Sequence, residues 1–168
     1  AARELSDGDT IFIDSGSTAV NVLRHLPPRI KLTVVTHSLP AMVEAAKYDG
    51  INLISLGGAF NPATSSFVGI FAQQALSDLR ITKAFLCATG VTVESGMSNT
   101  TFLEAEIKRG VVSHASSVIL VADNSKLGHD ATVTFCRLQD ISTFVTDQKP
   151  APKFVEFCRA HNIRLVWE

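Results

Sequence analysis

The stretch GDTIFIDSGST, residues 8–18, carries a strand, a tight turn and a helix start in direct succession. Residues 11–13 (IFI) are a short apolar run of buried-strand type, and the run stops at Asp14-Ser15-Gly16. Beyond the turn, Val20, Leu23 and Leu26 recur at helical spacing until Pro27 and Pro28, which cannot continue a helix. A strand feeding a crossover helix is the βαβ signal, and the chain repeats it. Further strands are expected at residues 32–35 in KLTVVTHS, 53–56 in NLISLGG, 84–87 in KAFLCATG and 118–121 in SVILVADNS. Ser38 and Pro40 open a second helix as N-cap and first-turn proline, and residues 68–79 supply a third. Leu103, Ile107 and Val111 give a fourth helix an apolar stripe toward the sheet. The tail DISTFVTD, PKFVEFCRAHN, IRLVW adds a strand, a helix and a strand. The expected fold is one α/β domain over residues 1–168, a mainly parallel Rossmann-like sheet flanked by helices, with no linker or repeat.

Composition agrees and narrows the function classes. At 46% hydrophobic and 18% charged residues the chain has apolar surface enough for a core. Lys and Arg total 15 against 16 Asp and Glu, which leaves no basic footprint for a phosphate backbone. Cys87, Cys136 and Cys158 form an odd set without close pairs, as reduced thiols do, so a cytoplasmic location is the default. No apolar run spans a bilayer, and no signal peptide precedes the first strand, so no membrane partner is expected. A first residue that is Ala rather than Met suggests an excised domain. The five histidines have neither HExxH nor HxH spacing and there is no CxxC or GxSxG, so neither a metal site, an esterase elbow nor a cofactor is implied.

In open α/β sheets ligands bind beyond the carboxyl ends of the strands, which directs attention to the loops there. In Asp14-Ser15-Gly16-Ser17-Thr18, Gly16 permits close backbone approach, and the amides of Ser17 and Thr18 with the nearby hydroxyls suit an anion such as phosphate. The same residues also make an ordinary N-cap in a tight turn. The stretch matches neither the GxxxxGK loop of nucleotide hydrolases nor GxGxxG, which argues against nucleoside triphosphates and NAD. Thr36-His37-Ser38 is either a cap with a turn residue or a second ligand loop, and Gly57-Gly58 is a positive-φ turn, a close backbone approach, or both. Thr89 and Gly90 follow KAFLC, and a threonine there can donate to a sugar oxygen. In Asp123-Asn124-Ser125-Lys126 the lysine either reaches a phosphate or sugar hydroxyl, with Asp123 orienting it, or is a solvated loop charge. Glu104 and Lys108, spaced i,i+4, are either a surface ion pair or a carboxylate and ammonium for sugar hydroxyls.

Taken in order, GDTIFIDSGST (8–18), LTVVTHSLP (32–40), LISLGGAFNP (53–62), KAFLCATGV (83–91), LEAEIKR (103–109), VILVADNSKLG (118–128) and DISTFVTD (140–147) resemble the C-terminal effector-sensing domain of DeoR-type bacterial transcriptional repressors. The resemblance covers nearly the whole chain. It implies a fold akin to ribose-5-phosphate isomerase and glucosamine-6-phosphate deaminase, used to sense a phosphorylated sugar. The family's phosphate loop falls on Asp14, Gly16, Ser17 and Thr18, and its second loop on Thr36, His37 and Ser38, where many members have Asn in the middle. Its lysine falls on Lys126, and its helical Glu and Lys on Glu104 and Lys108. Members often carry Thr-Pro-Asn before that helix, where this chain has Asn99-Thr100-Thr101. The resemblance further implies homo-oligomers, and operator DNA contacted only through an N-terminal winged helix-turn-helix that this chain lacks.

The expected function is therefore a noncatalytic sugar-phosphate sensor of a repressor of carbohydrate metabolism. The alternative is a sugar-phosphate isomerase or amino-sugar phosphate deaminase on the same fold. Proton transfer between sugar carbons needs a carboxylate aimed at the carbon acid. The resembling isomerases keep acids in a DGADE-like run where this chain reads Ala88-Thr89-Gly90-Val91-Thr92. Glu104 is the one remaining candidate base, and no catalytic residue is assigned. A purely structural interaction domain, the third class, predicts no affinity for phosphates.

Overall fold

The computed structural model describes residues 2–167. In chain order its elements are β1 (Thr10–Ile13), α1 (Ser17–Arg24), β2 (Leu32–Thr36), α2 (Leu39–Ala45), β3 (Ile51–Ser55), β4 (Ala59–Asn61), β5 (Ser66–Val68), α3 (Ile70–Ser77) and β6 (Ile81–Leu86). There follow β7 (Gly90–Thr92), β8 (Gly96–Asn99), α4 (Phe102–His114), β9 (Ala115–Val121), β10 (Val133–Cys136), β11 (Thr143–Thr146), α5 (Pro152–Ala160) and β12 (Arg164–Trp167). Seven strands form one sheet in the order β12-β11-β9-β6-β1-β2-β3, with every pairing parallel.

Alternation along the central strands feeds two cores. Ile11, Ile13 and Phe85 pack with Ala19, Val22 and Leu23 of α1 and with α2 on one face. Phe12, Ala84 and Leu86 pack with Ala72 and Leu76 of α3, Ile107 of α4 and Phe154 of α5 on the other. From β1 the chain proceeds outward through β2 and β3, then returns to place β6 on the opposite side of β1. The topological switch point thus lies between β1 and β6, where loops part and leave a crevice.

Several sequence expectations shift. The third helix starts at Ile70, because residues 66–68 are β5 and Gly69, at φ 99°, breaks the chain between strand and helix. β3 spans Ile51–Ser55 and β6 spans Ile81–Leu86, both earlier than their apolar runs suggest. On α4 the inward stripe is Glu104, Ala105, Ile107, Lys108 and Val111, while Leu103 is exposed. Two elements went unread: the β4–β5 hairpin, and a small antiparallel sheet in the order β10-β8-β7. Their strands are three or four residues long and carry Gly, Ser and Thr, too short and mixed for a period to register. Cys87, Cys136 and Cys158 are free thiols and buried. Among the described residues no helix is long and apolar enough to cross a membrane, and no group of three or more side chains could hold a metal.

Candidate functional site

Asp14 directly follows β1 at the switch point with no exposed surface. Its Oδ2 accepts from the Cys87 amide at 2.8 Å, across the gap to β6, and from Lys108 Nζ at 2.7 Å. Its Oδ1 accepts from the Ser15 amide at 2.8 Å and lies 3.2 Å from His37 Nε2. Burial by itself raises this carboxyl; the Lys108 charge and the His37 hydrogen bond outweigh it and hold Asp14 well below the usual carboxylate range.

Lys108 is equally enclosed. Besides Asp14 its ammonium donates to the Cys87 carbonyl at 2.8 Å and to Asn99 Oδ1 at 3.1 Å, and it sits 5.1 Å from the Phe135 ring centre. Three acceptors match the three protons of an ammonium, so none is left over. Glu104 lies one turn earlier on α4, and its Oε1 accepts from the hydroxyls of Ser15 and Ser66, both at 3.2 Å. Its Oε2 accepts from Asn99 Nδ2 at 3.0 Å. The i,i+4 spacing thus gives no surface ion pair: both side chains are buried, and the Asn99 amide bridges them, nitrogen to carboxylate and oxygen to ammonium.

His37 is buried, stacks on Phe12 with ring centres 5.7 Å apart, and has its Nδ1 3.3 Å from the Phe67 carbonyl. Thr36 and Ser38 hold backbone. Thr36 Oγ1 donates to the Ile13 carbonyl at 2.6 Å and accepts from the Ser38 amide at 3.0 Å, and Ser38 Oγ caps α2 by accepting from the Ala41 amide at 3.3 Å.

Above this buried layer lies a more open one. Gly16 is the N-cap of α1 at φ −64°, so no unusual backbone demands a glycine; a Cβ there would stand 2.6 Å from the Cys87 side chain, and close approach does. It offers no capping side chain, and among the described residues the amides of Ser17 and Thr18 have no protein acceptor. Thr89 is exposed, with its hydroxyl 3.4 Å from that of Thr100. Gly90 is buried, and a Cβ there would meet the His129 carbonyl at 2.2 Å. Asp123 caps a short 3-10 turn, Asn124–Lys126, by accepting from the Ser125 amide at 2.9 Å. Its hydrogen bond with the Ser125 hydroxyl, opposed by some burial, lowers its carboxyl. Lys126, half-buried on that turn, forms no salt bridge among the described residues, and its charge helps to lower the Asp123 carboxyl. Gly57 and Gly58, at φ 65° and 107°, make the turn into the β4–β5 hairpin.

The structure therefore brings together Asp14, Ser15, His37, Glu104 and Lys108 in one hydrogen-bonded unit. Thr36 and Ser38 brace it, while Ser17 and Thr18 open α1, Lys126 sits on the 3-10 turn after β9 and Thr89 on the loop after β6, all at the same end of the sheet. Sequence reasoning missed Asn99, Ser66 and the Cys87 backbone. Asn99 stands out in retrospect as a polar residue five positions before Glu104, but nothing local marks Ser66. Burial pushes the Cys87 thiol up to about 12, the Asp14 charge adding to it, so Cys87 is no nucleophile. A cavity of about 660 Å3 opens elsewhere, between α1 and strands β9, β11 and β12, and of the candidate residues only Thr18 lines it.

Comparison with known proteins shows the family. The family model of the DeoR C terminal sensor domain matches residues 1–148. The HTH-type transcriptional regulator IolR of Bacillus subtilis is 36% identical over 163 residues, 97% of this chain and 65% of its own length. The lactose phosphotransferase system repressor of Staphylococcus epidermidis is 32% identical over 152 residues, 89% of this chain and 59% of its own. The chain thus spans about three fifths of such relatives. Among solved structures, ribose 5-phosphate isomerase A from Methanocaldococcus jannaschii superposes with a TM-score of 0.53 at 20% identity, over 75% of this chain and 49% of that one. That likeness is one of fold. With the matched model covering all but the last helix and strand, the chain belongs to the family of DeoR C-terminal sensor domains.

Proposed function

We propose that the domain binds a phosphorylated sugar, and that occupancy alters the DNA affinity of the cytoplasmic repressor to which it belongs. The observation that carries this reading is the two-layer site. A buried charged unit, satisfied within itself, lies beneath an uncapped helix N-terminus whose first amides have no protein acceptor. Such amides, with the helix dipole behind them, favour a phosphate. Lys126, in no salt bridge among the described residues, supplies a point charge from a turn two strands away. Thr89 and Ser15 offer hydroxyls for the sugar, and the buried Thr101 hydroxyl at the α4 N-cap has no partner. In this arrangement Asp14, Lys108 and Glu104 hold the loops, and a sugar hydroxyl reaches Glu104 by displacing Ser15 or Ser66.

Binding rather than turnover follows from the same contacts. Asp14 is enclosed and ion-paired with Lys108, and Glu104, held by Ser15, Ser66 and Asn99, has among the described residues no second acid or base beside it to share a proton transfer between sugar carbons. DNA contact is assigned to parts of the protein outside this chain, in which 15 Lys and Arg are balanced by 16 Asp and Glu. Thermal unfolding against a panel of sugar phosphates and their parent sugars tests the reading. A saturating sugar phosphate is expected to raise the midpoint by roughly 5–10 °C while parent sugars do not. No shift with any sugar phosphate, or equal shifts with the parents, contradicts it.

A further inference from the structure

Lys126 stands on the 3-10 turn Asn124–Lys126 beyond the carboxyl end of β9, and each amide of that turn has an acceptor. Two of the acceptors belong to the residue just before it. The Lys126 amide donates to the Asp123 carbonyl at 3.1 Å, and the Ser125 amide to Asp123 Oδ1 at 2.9 Å. The third comes from another strand: the Asn124 amide donates to Asp147 Oδ1 at 2.7 Å. Asp147 directly follows β11, the parallel neighbour of β9, and is exposed. Its carboxylate is oriented in turn by the Thr146 hydroxyl, which donates to the same oxygen at 3.2 Å. Past Lys126 the chain is fixed a second time. The Gly128 amide donates to the Val91 carbonyl at 2.8 Å, and Leu127 forms a β-bridge with Val91 of β7. The turn is therefore clamped at its start by Asp147 and at its end by β7, with Lys126 between the clamps.

We propose that Asp147 is a positioning residue for phosphate binding: by holding the Asn124 amide it fixes the turn that carries Lys126, and so aims that ammonium at the start of α1. The inference rests on the reading of Lys126 as a phosphate contact, and three observations support it. The first is the nature of lysine. Its long side chain loses much rotamer freedom when it is ordered, so a mobile base beneath it would add to what binding has to immobilise. A clamped turn removes that second loss before the ligand arrives. The second is location. Asp147 lines the same cavity as Thr18, which puts its carboxylate on the side of the sheet where α1 begins. The third is sign. A carboxylate facing an anion site opposes the anion through its charge, so Asp147 is unsuited to touch the phosphate itself. What it contributes is the hydrogen bond to the backbone, and that contribution is separable from its charge.

Titration of this chain with inorganic phosphate, followed through the NMR amide shifts of Ser17 and Thr18, tests the proposal. The wild type is expected to bind, and Lys126→Ala to bind about tenfold more weakly, the share of one charge-assisted hydrogen bond. Asp147→Ala is expected to weaken binding at least about threefold, and to add nothing in a chain that already carries Lys126→Ala, because it acts only through that ammonium. Asp147→Asn keeps an oxygen for the Asn124 amide and removes the charge, so it is expected to bind at least as tightly as the wild type. Without phosphate, hydrogen exchange at the Asn124 amide is expected to accelerate in Asp147→Ala and to stay close to the wild-type rate in Asp147→Asn. Suppose the wild type and Lys126→Ala behave as expected. The positioning role is then overturned, with the cradle left standing, if Asp147→Ala binds like the wild type or leaves Asn124 exchange unaltered. It is overturned equally if the Asp147→Ala loss adds to that of Lys126→Ala, or if Asp147→Asn is as weak as Asp147→Ala. A wild type whose Ser17 and Thr18 amides do not respond to phosphate overturns the cradle itself, and the role with it.

Discussion

Asp14 and Lys108 form an ion pair from which water is excluded, and each also holds backbone groups of a different loop. Removing one partner strands the other, so Lys108→Met is expected to cost about 3–5 kcal/mol in urea unfolding. Adding Asp14→Asn to it should cost less than the two single losses combined. Gly16→Ala sets a Cβ 2.6 Å from the Cys87 side chain and is expected to cost about 1–3 kcal/mol, though its φ suits any residue. Lys126→Ala, by contrast, should leave stability within about 0.5 kcal/mol while weakening phosphate-ligand binding. At this scale the sequence was partly legible. The strand-end positions of Asp14, Gly16, Thr36 and Ser38 follow from short motifs whose geometry is local. The surroundings of Glu104 and Lys108 did not, because an i,i+4 spacing says two side chains share a helix face and not whether that face meets water or a strand end.

The β4–β5 hairpin is tied to the site through the Ser66 hydroxyl on Glu104 Oε1 and through Phe67, whose amide donates to the His37 carbonyl at 2.8 Å and whose carbonyl lies 3.3 Å from His37 Nδ1. Ser66→Ala is expected to cost about 1–3 kcal/mol, the usual worth of a buried hydrogen bond to a charged group. Because the loss falls on one element, hydrogen exchange should accelerate at residues 59–68 and stay unchanged in β1 and β6. Unaltered exchange in the hairpin would mean that β3 and α3 hold it without Glu104. The long parallel strands and the crossover helices were readable because a run of apolar residues bounded by Gly or Pro is a local signal. This hairpin and the β10-β8-β7 sheet were not: their strands are three or four residues long, too short for a period to register, and β10 finds its partner far along the chain, Val133 opposite Asn99.

The seven-stranded order, with its reversal between β1 and β6, is what makes one site of loops scattered along the chain. The family resemblance anticipated that gathering, and periodicity alone did not. The chain is a sensor domain, and its kinship with isomerases is a kinship of fold. Its acid stability should reflect the carboxylates held by lysines, one half-buried and one buried. Asp9, where burial is outweighed by the Lys83 hydrogen bond, and Asp14 both titrate lower in the folded chain than in the unfolded one. The unfolded chain therefore binds more protons in that window, so their stabilisation is complete above a pH of about 4 and is lost as pH falls through the folded values. Asp9→Asn should accordingly lower stability at neutral pH and flatten its decline below a pH of about 4. The central claim, an anion cradle at the start of α1 above a self-satisfied charged unit, is tested most directly by titration calorimetry. The measurement compares a sugar phosphate found by thermal shift with its unphosphorylated form. Two or more charge-assisted hydrogen bonds predict that the phosphorylated sugar binds at least about 100-fold more tightly; equal affinities for the two would contradict the account.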